Sequence, residues 1–159
     1  MPKGNLERMI KLAEQFFDTK HDPAQISVTP PVIERLKKIH PSTLTERKDR
    51  NGPFAWVLVI PTTRPLMERF VSKRITEQEL LEETPLRGRY DALYLCSALV
   101  LPEYRGRGVA RRLVSKAIKS IQKQHPIRYL FYWAFSREGE RLATRIAEDF
   151  ALPLRQRPG

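Results

Sequence analysis

Pro102-Glu103-Tyr104-Arg105-Gly106-Arg107-Gly108-Val109-Ala110 joins an apolar, β-rich run, Ala92–Leu101, to the clearest helical segment of the chain, Gly106–Gln124. Pro102 ends the run, as proline ends a strand that cannot spare an N–H. In the helical segment Val109, Leu113, Val114, Ala117, Ile118 and Ile121 share one stripe, with Arg111, Arg112, Lys116, Lys119 and Lys123 outside it. Between strand and helix, two glycines let the backbone approach a ligand closely. The helix start offers unpaired N–H groups and the positive end of a dipole. Arg105, Arg107, Arg111 and Arg112 add charge at the same place. The turn reads as an anion-binding site whose size and charge suit a pyrophosphate.

Two familiar phosphate loops do not fit. A Walker-type loop needs GxxxxGK followed by Ser or Thr, and no Lys-Ser or Lys-Thr follows these glycines. A dinucleotide-binding turn needs a third small residue, and Arg111 stands there. Downstream, Arg128–Phe135 is an aromatic-rich strand, and Glu138–Phe150 is a helix with Leu142, Ala143, Ile146 and Ala147 inward. Strand, turn, helix, strand, helix is a right-handed βαβ unit, which predicts two parallel strands with a helix packed on them.

Upstream, Leu6–Phe17 reads as an amphipathic helix with Leu6, Met9, Ile10, Ala13 and Phe17 on the inward face. His21–Pro31, with three prolines, reads as a loop, and Val32–Ile39 as a short helix stopped by Pro41. The polar residues 41–53, with Asn51-Gly52-Pro53, read as a loop or turn. Phe54–Ile60 is a central strand covered on both faces. A helical insert follows: Pro65–Val71, then a second helix opening with Thr76 and Glu79 at capping-box spacing. Pro85–Arg89 breaks the pattern.

With 41% hydrophobic and 30% charged residues over 159 positions, the balance is that of a globular chain of single-domain length, 1–159. No stretch reaches the roughly 18 apolar residues of a membrane span, so no membrane is expected as partner. The opening MPKGNLERMIKLAEQ lacks the continuous apolar core of a secretory signal. Cys96 is the one cysteine, and a reducing, cytoplasmic location is the default expectation. Lys and Arg number 29 against 18 Asp and Glu, giving +11. That excess suits acidic partners, nucleic acid among them. Because it is spread along the chain, a solvated basic surface accounts for it and nucleic acid is not favoured.

The wording Arg105-Gly106-Arg107-Gly108-Val109-Ala110 fits R/Q-x-x-G-x-G/A, and Val100-Leu101-Pro102-Glu103-Tyr104 precedes it. This resembles the acetyl-coenzyme A (CoA) loop of the GNAT N-acetyltransferase superfamily, and the likeness covers about residues 91–150. It implies an α/β fold: a mixed central sheet flanked by helices, here with an extra helical part over 1–90, a cofactor-binding core over 91–150 and a shortened C-terminus. It also implies acetyl-CoA as acyl donor, passed directly to an amine of a small molecule or peptide. By the same resemblance, backbone groups of Leu99, Val100 and Leu101 bind the pantetheine and thioester. Amides of Arg105, Gly106, Arg107, Gly108, Val109 and Ala110 hold the pyrophosphate, beside Arg111. Ser136 stands where the family often has an Asn that touches pantetheine.

Such a reaction needs a neutral amine, an N–H for the developing oxyanion (Val100 is expected) and an acid for the leaving thiolate. The family's usual acid is a tyrosine on the last helix. SREGERLATRIAEDF, Ser136–Phe150, has none, and Ala143 or Thr144 takes its approximate place. Ser97 and Ser136 are the candidate catalytic hydroxyls, each with a structural reading beside it. Tyr132 and Trp133 read as core or wall rather than catalyst, Glu103 as settling loop charge, and Cys96 as inert core rather than acyl carrier. His21, His40 and His125 lack partners at ligand spacing, so no metal is assigned. Family chains usually add two more strands that wall the acceptor pocket. Ala151–Gly159 suffices for one short strand, which leaves the wall to the N-terminal helices, the insert at 63–84, or a second subunit in a homodimer.

Overall fold

The computed structural model describes residues 4–20 (17–20 by backbone alone), 29–134 and 136–159. The expected loop at 21–28, the inward placement of Phe17, His21 and the strand end at Phe135 lie outside the described residues. Five strands form one mixed sheet in the order β1-β2-β3-β4-β5, with β1 Leu44–Asp49, β2 Gly52–Thr62, β3 Ala92–Val100, β4 Tyr129–Trp133 and β5 Leu154–Arg157. The first three are antiparallel; β3, β4 and β5 run parallel. Helices α1 Asn5–Lys20, α2 Pro30–Ile39, α3 Arg64–Val71, α4 Glu77–Glu83, α5 Val109–Gln122 and α6 Arg137–Phe150 flank it. The mixed α/β architecture and the parallel βαβ unit are those expected.

The expected loop over 41–53 is corrected. Residues Leu44–Asp49 form an edge strand against β2, and only turns at 41–43 and at Arg50–Asn51 remain. LTERKD carries no apolar alternation because its last four residues are exposed, so the strand is held by backbone pairing and by its turn. There the Asn51 N–H donates to Asp49 Oδ1 at 2.8 Å, and Gly52 takes a positive φ of 109°.

The inward face of α1 is also corrected. Leu6 and Ile10 are 52% and 45% exposed, while Met9 is fully buried and Leu12, Ala13 and Phe16 pack against the core. The helix is rotated from the expected stripe so that its second half reaches over β2 and β3. The insert forms as read, with the Thr76–Glu79 capping box closed in both directions (3.0 and 3.1 Å). Its α3 sets Phe70 against Tyr94, Phe131 and Trp133 across β3 and β4. The tail supplies the one short strand expected, β5 beside β4. Arg157 on β5 is buried and donates from Nη1 to the carbonyls of Phe70 (2.9 Å) and Ile75 (2.6 Å), which fastens the strand to the insert.

Candidate functional site

Parallel pairing of β3 with β4 stops at Leu95↔Tyr132, although β3 continues beside β2 as far as Val100. The two strands therefore part, and a cleft of about 490 Å³ opens between them. The Leu101 N–H is bonded to Phe54 O on the β2 side. Since backbone groups alternate along a strand, the N–H groups of Val100 and Ala98 point the other way, into the cleft. Where the strands part, β3 carries a bulge: Leu58 pairs with Ser97 and Val59 with Leu95, which leaves Cys96 as the extra residue.

At the cleft's mouth lies the glycine turn. Pro102–Tyr104 form one 3-10 turn, and Gly106 and Gly108 adopt left-handed φ values of 77° and 73°. The expected helix start at Gly106 is thereby moved to Val109, because a left-handed residue cannot belong to the helix it precedes. No hydrogen-bond acceptor takes the amides of residues 106–111 among the described residues. Alternating backbone hands plus the first turn of α5 make a nest of donors for an anion.

The arginines divide by task. Arg105 Nε donates to Val100 O at 2.9 Å, which bends the turn back on β3. Arg112 Nη1 donates to Arg107 O at 2.7 Å, closing the turn from within. Arg111 forms a bidentate pair with Asp149 of α6, with Nε–Oδ2 at 2.7 Å, so it ties α5 to α6. That pair holds the Asp149 carboxyl below its ordinary range. Arg107 makes no ion pair among the described residues and stands exposed beside the nest.

Of the expected site residues, Ser97, Leu99, Val100, Arg105, Ala110 and Ser136 line the cleft. Gly106, Arg107, Gly108 and Val109 form the turn at its mouth, and Leu101 is buried beneath. Ser136 caps α6, its Oγ accepting the Gly139 N–H at 3.1 Å; Ser97 is a cleft hydroxyl on the bulge side. On α6 it is Ala143 that faces the cleft, since the Thr144 hydroxyl bonds back to Glu140 O at 2.8 Å and points outward. Tyr132 and Trp133 form wall, as expected. Glu103 settles charge through Arg8 of α1, whose two hydrogen bonds hold its carboxyl at about 2. His40 and His125 lie together by Gln124 and Tyr90, the first at 2.8 Å from Gln124 Oε1, away from the cleft lining.

Two features had no clear signal in the sequence. One is the reach of α1, which brings Leu12, Gln15 and Phe16 into the cleft. The other is a buried polar cluster behind the bulge. Glu77, fully buried, accepts a short hydrogen bond from Tyr94 Oη, and Cys96 Sγ lies 3.7 Å from the same carboxylate oxygen. Burial, then the nearby carboxylate, pushes the Tyr94 hydroxyl well above its ordinary range, so it remains a donor. Among the described residues no group of three metal-ligating side chains gathers, and no helix is long and apolar enough to cross a membrane.

No curated protein sequence matches significantly. Among solved structures, Naa20 of Chaetomium thermophilum in complex with a bisubstrate analogue superposes with a TM-score of 0.51 at 15% identity. The superposition covers 80% of this chain and 60% of that one, so this chain spans less than two thirds of its neighbour's length. A tetramutant of the BH1408 protein of Bacillus halodurans gives a TM-score of 0.48 at 17% identity, covering 93% and 87% of the two chains. The first of these likenesses supports the fold. The sequence model of the acetyltransferase (GNAT) family matches residues 38–148, reaching well upstream of the turn and over more than half of the chain, so the chain belongs to the GNAT acetyltransferase family.

Proposed function

We propose that the chain is an acyl-CoA-dependent N-acyltransferase, acetyl being the simplest acyl group, acting on an amine of a small molecule or peptide. The observation that carries this reading is the continuity of one cleft from an arginine-flanked nest of free amides to a bulge where two parallel strands part. In this reading the amides of residues 106–110 hold the pyrophosphate, with Arg107, which makes no ion pair among the described residues, beside it. The pantetheine arm lies along the free edge of β3 at Ala98 and Val100, whose N–H groups face the cleft, near Ser136; the Leu101 N–H expected to join them is bonded to Phe54 O instead. A cleft-facing N–H, Val100 or Ala98, meets the oxyanion when the amine attacks the thioester carbonyl. Ser97, on the bulge side, and Ser136, toward the outer end, are the candidate hydroxyls to protonate the departing thiolate; the Ser136 oxygen also acts as acceptor for the cap.

Calorimetric titration of CoA and acetyl-CoA, with ATP and NAD as controls, tests the cofactor. Selective micromolar binding followed by amine-dependent CoA release supports the reading. Absence of binding to CoA and to every acyl-CoA overturns it. A non-catalytic acyl-CoA-binding role draws on Ala143 standing where the family's tyrosine is expected; binding without release from any amine would favour that role.

A further inference from the structure

The cleft has two unlike ends. Its outer end carries the charged and capping groups Arg105, Glu138 and Ser136. Its inner end, past the bulge, is bounded by Leu12, Gln15 and Phe16 of α1, Leu58 and Val59 of β2, and Leu95 of β3, mostly apolar and with no charged side chain among these described lining residues. We propose that this inner end is an acyl-chain pocket, so that the preferred donor is a CoA thioester with a chain longer than acetyl. This rests on the acyl-CoA reading above and names its donor class.

Position is the first argument. A pantetheine arm that enters at the nest and follows the free edge of β3 brings its thioester toward the bulge at Cys96. The residues beyond are those paired around the bulge, Leu58 opposite Ser97 and Val59 opposite Leu95. Whatever is attached to the thioester carbonyl therefore meets the apolar end first. The second argument is room. The cleft of about 490 Å³, which the pantetheine arm shares, runs on past the bulge to this apolar lining, and an acetyl methyl would meet only the part nearest the thioester. Apolar walls without contact lose dispersion energy, so an empty inner end is unfavourable. Third, Ala143 presents a methyl group to the cleft, and Leu142 and Ile146 flank it. No aromatic ring from α6 divides the thioester from the inner end. Finally, α1 is rotated so that Leu12 and Phe16 point at the cleft while Leu6 and Ile10 stay in solvent. That rotation assigns Leu12 and Phe16 to the pocket.

The test is a calorimetric series on the full chain with CoA, acetyl-CoA, butanoyl-CoA and hexanoyl-CoA. A fully buried methylene tightens binding about fourfold, and partial burial across four methylenes still gives about tenfold from acetyl to hexanoyl. Ala143→Phe, at a buried position on the cleft wall beside the thioester, should remove that gain. Leu12→Glu, on a partly exposed helix position, is the second variant: it places a charge in the pocket and should remove the gain in the same way. If CoA binds but affinity is flat across the series, the inference is overturned and the inner end belongs to the acceptor. If the gain survives both variants, the chain lies elsewhere and the assignment of this pocket fails. If CoA itself does not bind, the acyl-CoA reading falls and this inference with it.

Discussion

Arg8 donates two hydrogen bonds to the carboxylate of Glu103, one of them at 2.7 Å, and so pins α1 against the loop that enters the glycine turn. Ninety-five residues separate the pair, and it is the polar seam between the helix that covers the cleft and the strand that forms it.

The seam is acid-sensitive in one direction. Its hydrogen bonds from Arg8 hold the Glu103 carboxyl at about 2, below the ordinary 4.5. A depressed carboxylate contributes above its unfolded value and loses that contribution as pH falls toward its folded one, here between about 4.5 and 2. Carbon-detected NMR titration of the Glu103 carboxyl should give a midpoint near 2 in the wild type. Arg8→Ala should raise it toward the ordinary range, although the carboxyl's backbone hydrogen bond and Arg105 still hold it somewhat low. Because both groups face solvent, the effect on global stability is expected to be small. An unchanged midpoint in Arg8→Ala would assign the depression to another group.

Gly108 is held at φ 73°, and a Cβ there would meet Arg112 Nη1 at 3.1 Å. That guanidinium can swing aside, so the backbone sets the cost. Gly108→Ala should destabilise by about 1–2 kcal/mol, the penalty of a left-handed residue with a side chain. Gly106→Ala, at φ 77° with open space around its Cβ, should cost about the same. Gly108→Glu adds bulk and an anion to the nest and should abolish CoA binding while the fold survives. Thermal unfolding and calorimetry separate the two effects; unchanged CoA affinity in the glutamate variant would remove the nest from the site.

Ser136 has two assignments that a pair of variants can separate. As the cap of α6 it accepts the Gly139 N–H, and Ser136→Ala should cost about 1 kcal/mol. Asn also caps, so Ser136→Asn should restore most of that stability. CoA affinity should fall only slightly in either variant. Loss of turnover in the asparagine variant, with stability and binding intact, would make the hydroxyl a catalyst and not only a cap.

What the sequence discloses and what it withholds follow from where the energy lies. The nest and α5 are legible because glycine at positive φ, arginine near an anion and a 3.6-residue apolar stripe each have a local cause. Edge strand β1 is not, since exposed Glu46, Arg47, Lys48 and Asp49 leave no alternation to read and its pairing partner lies across a turn. On α1 the apolar residues are frequent enough to support two stripes about one residue apart. Only contact with β2 and β3 selects Met9, Leu12 and Phe16 over Leu6 and Ile10. Glu77 looks like an ordinary first-turn acid after a capping threonine; its burial depends on Tyr94 and Cys96, which arrive from a strand begun fifteen residues later.

That cluster supports the last prediction. Tyr94→Phe keeps the ring contacts with Phe70 at 4.9 Å and Phe131 at 5.1 Å but removes the hydroxyl that Glu77 accepts from. Leaving a buried acceptor without that donor should cost about 1–3 kcal/mol. Glu77→Ala removes the acceptor from Tyr94 and Cys96 together and opens a cavity, so its cost should be larger, about 3 kcal/mol or more. Once Glu77 is gone, the tyrosine hydroxyl has lost this partner, and adding Tyr94→Phe should cost much less than it does alone. Chemical denaturation of the two single variants and the double variant measures the coupling. A double-variant loss below the sum of the singles by about 1 kcal/mol or more means the carboxylate is held as a hydrogen-bonded unit behind the bulge. Simple additivity would mean that Glu77 and Tyr94 stabilise the insert and the sheet independently.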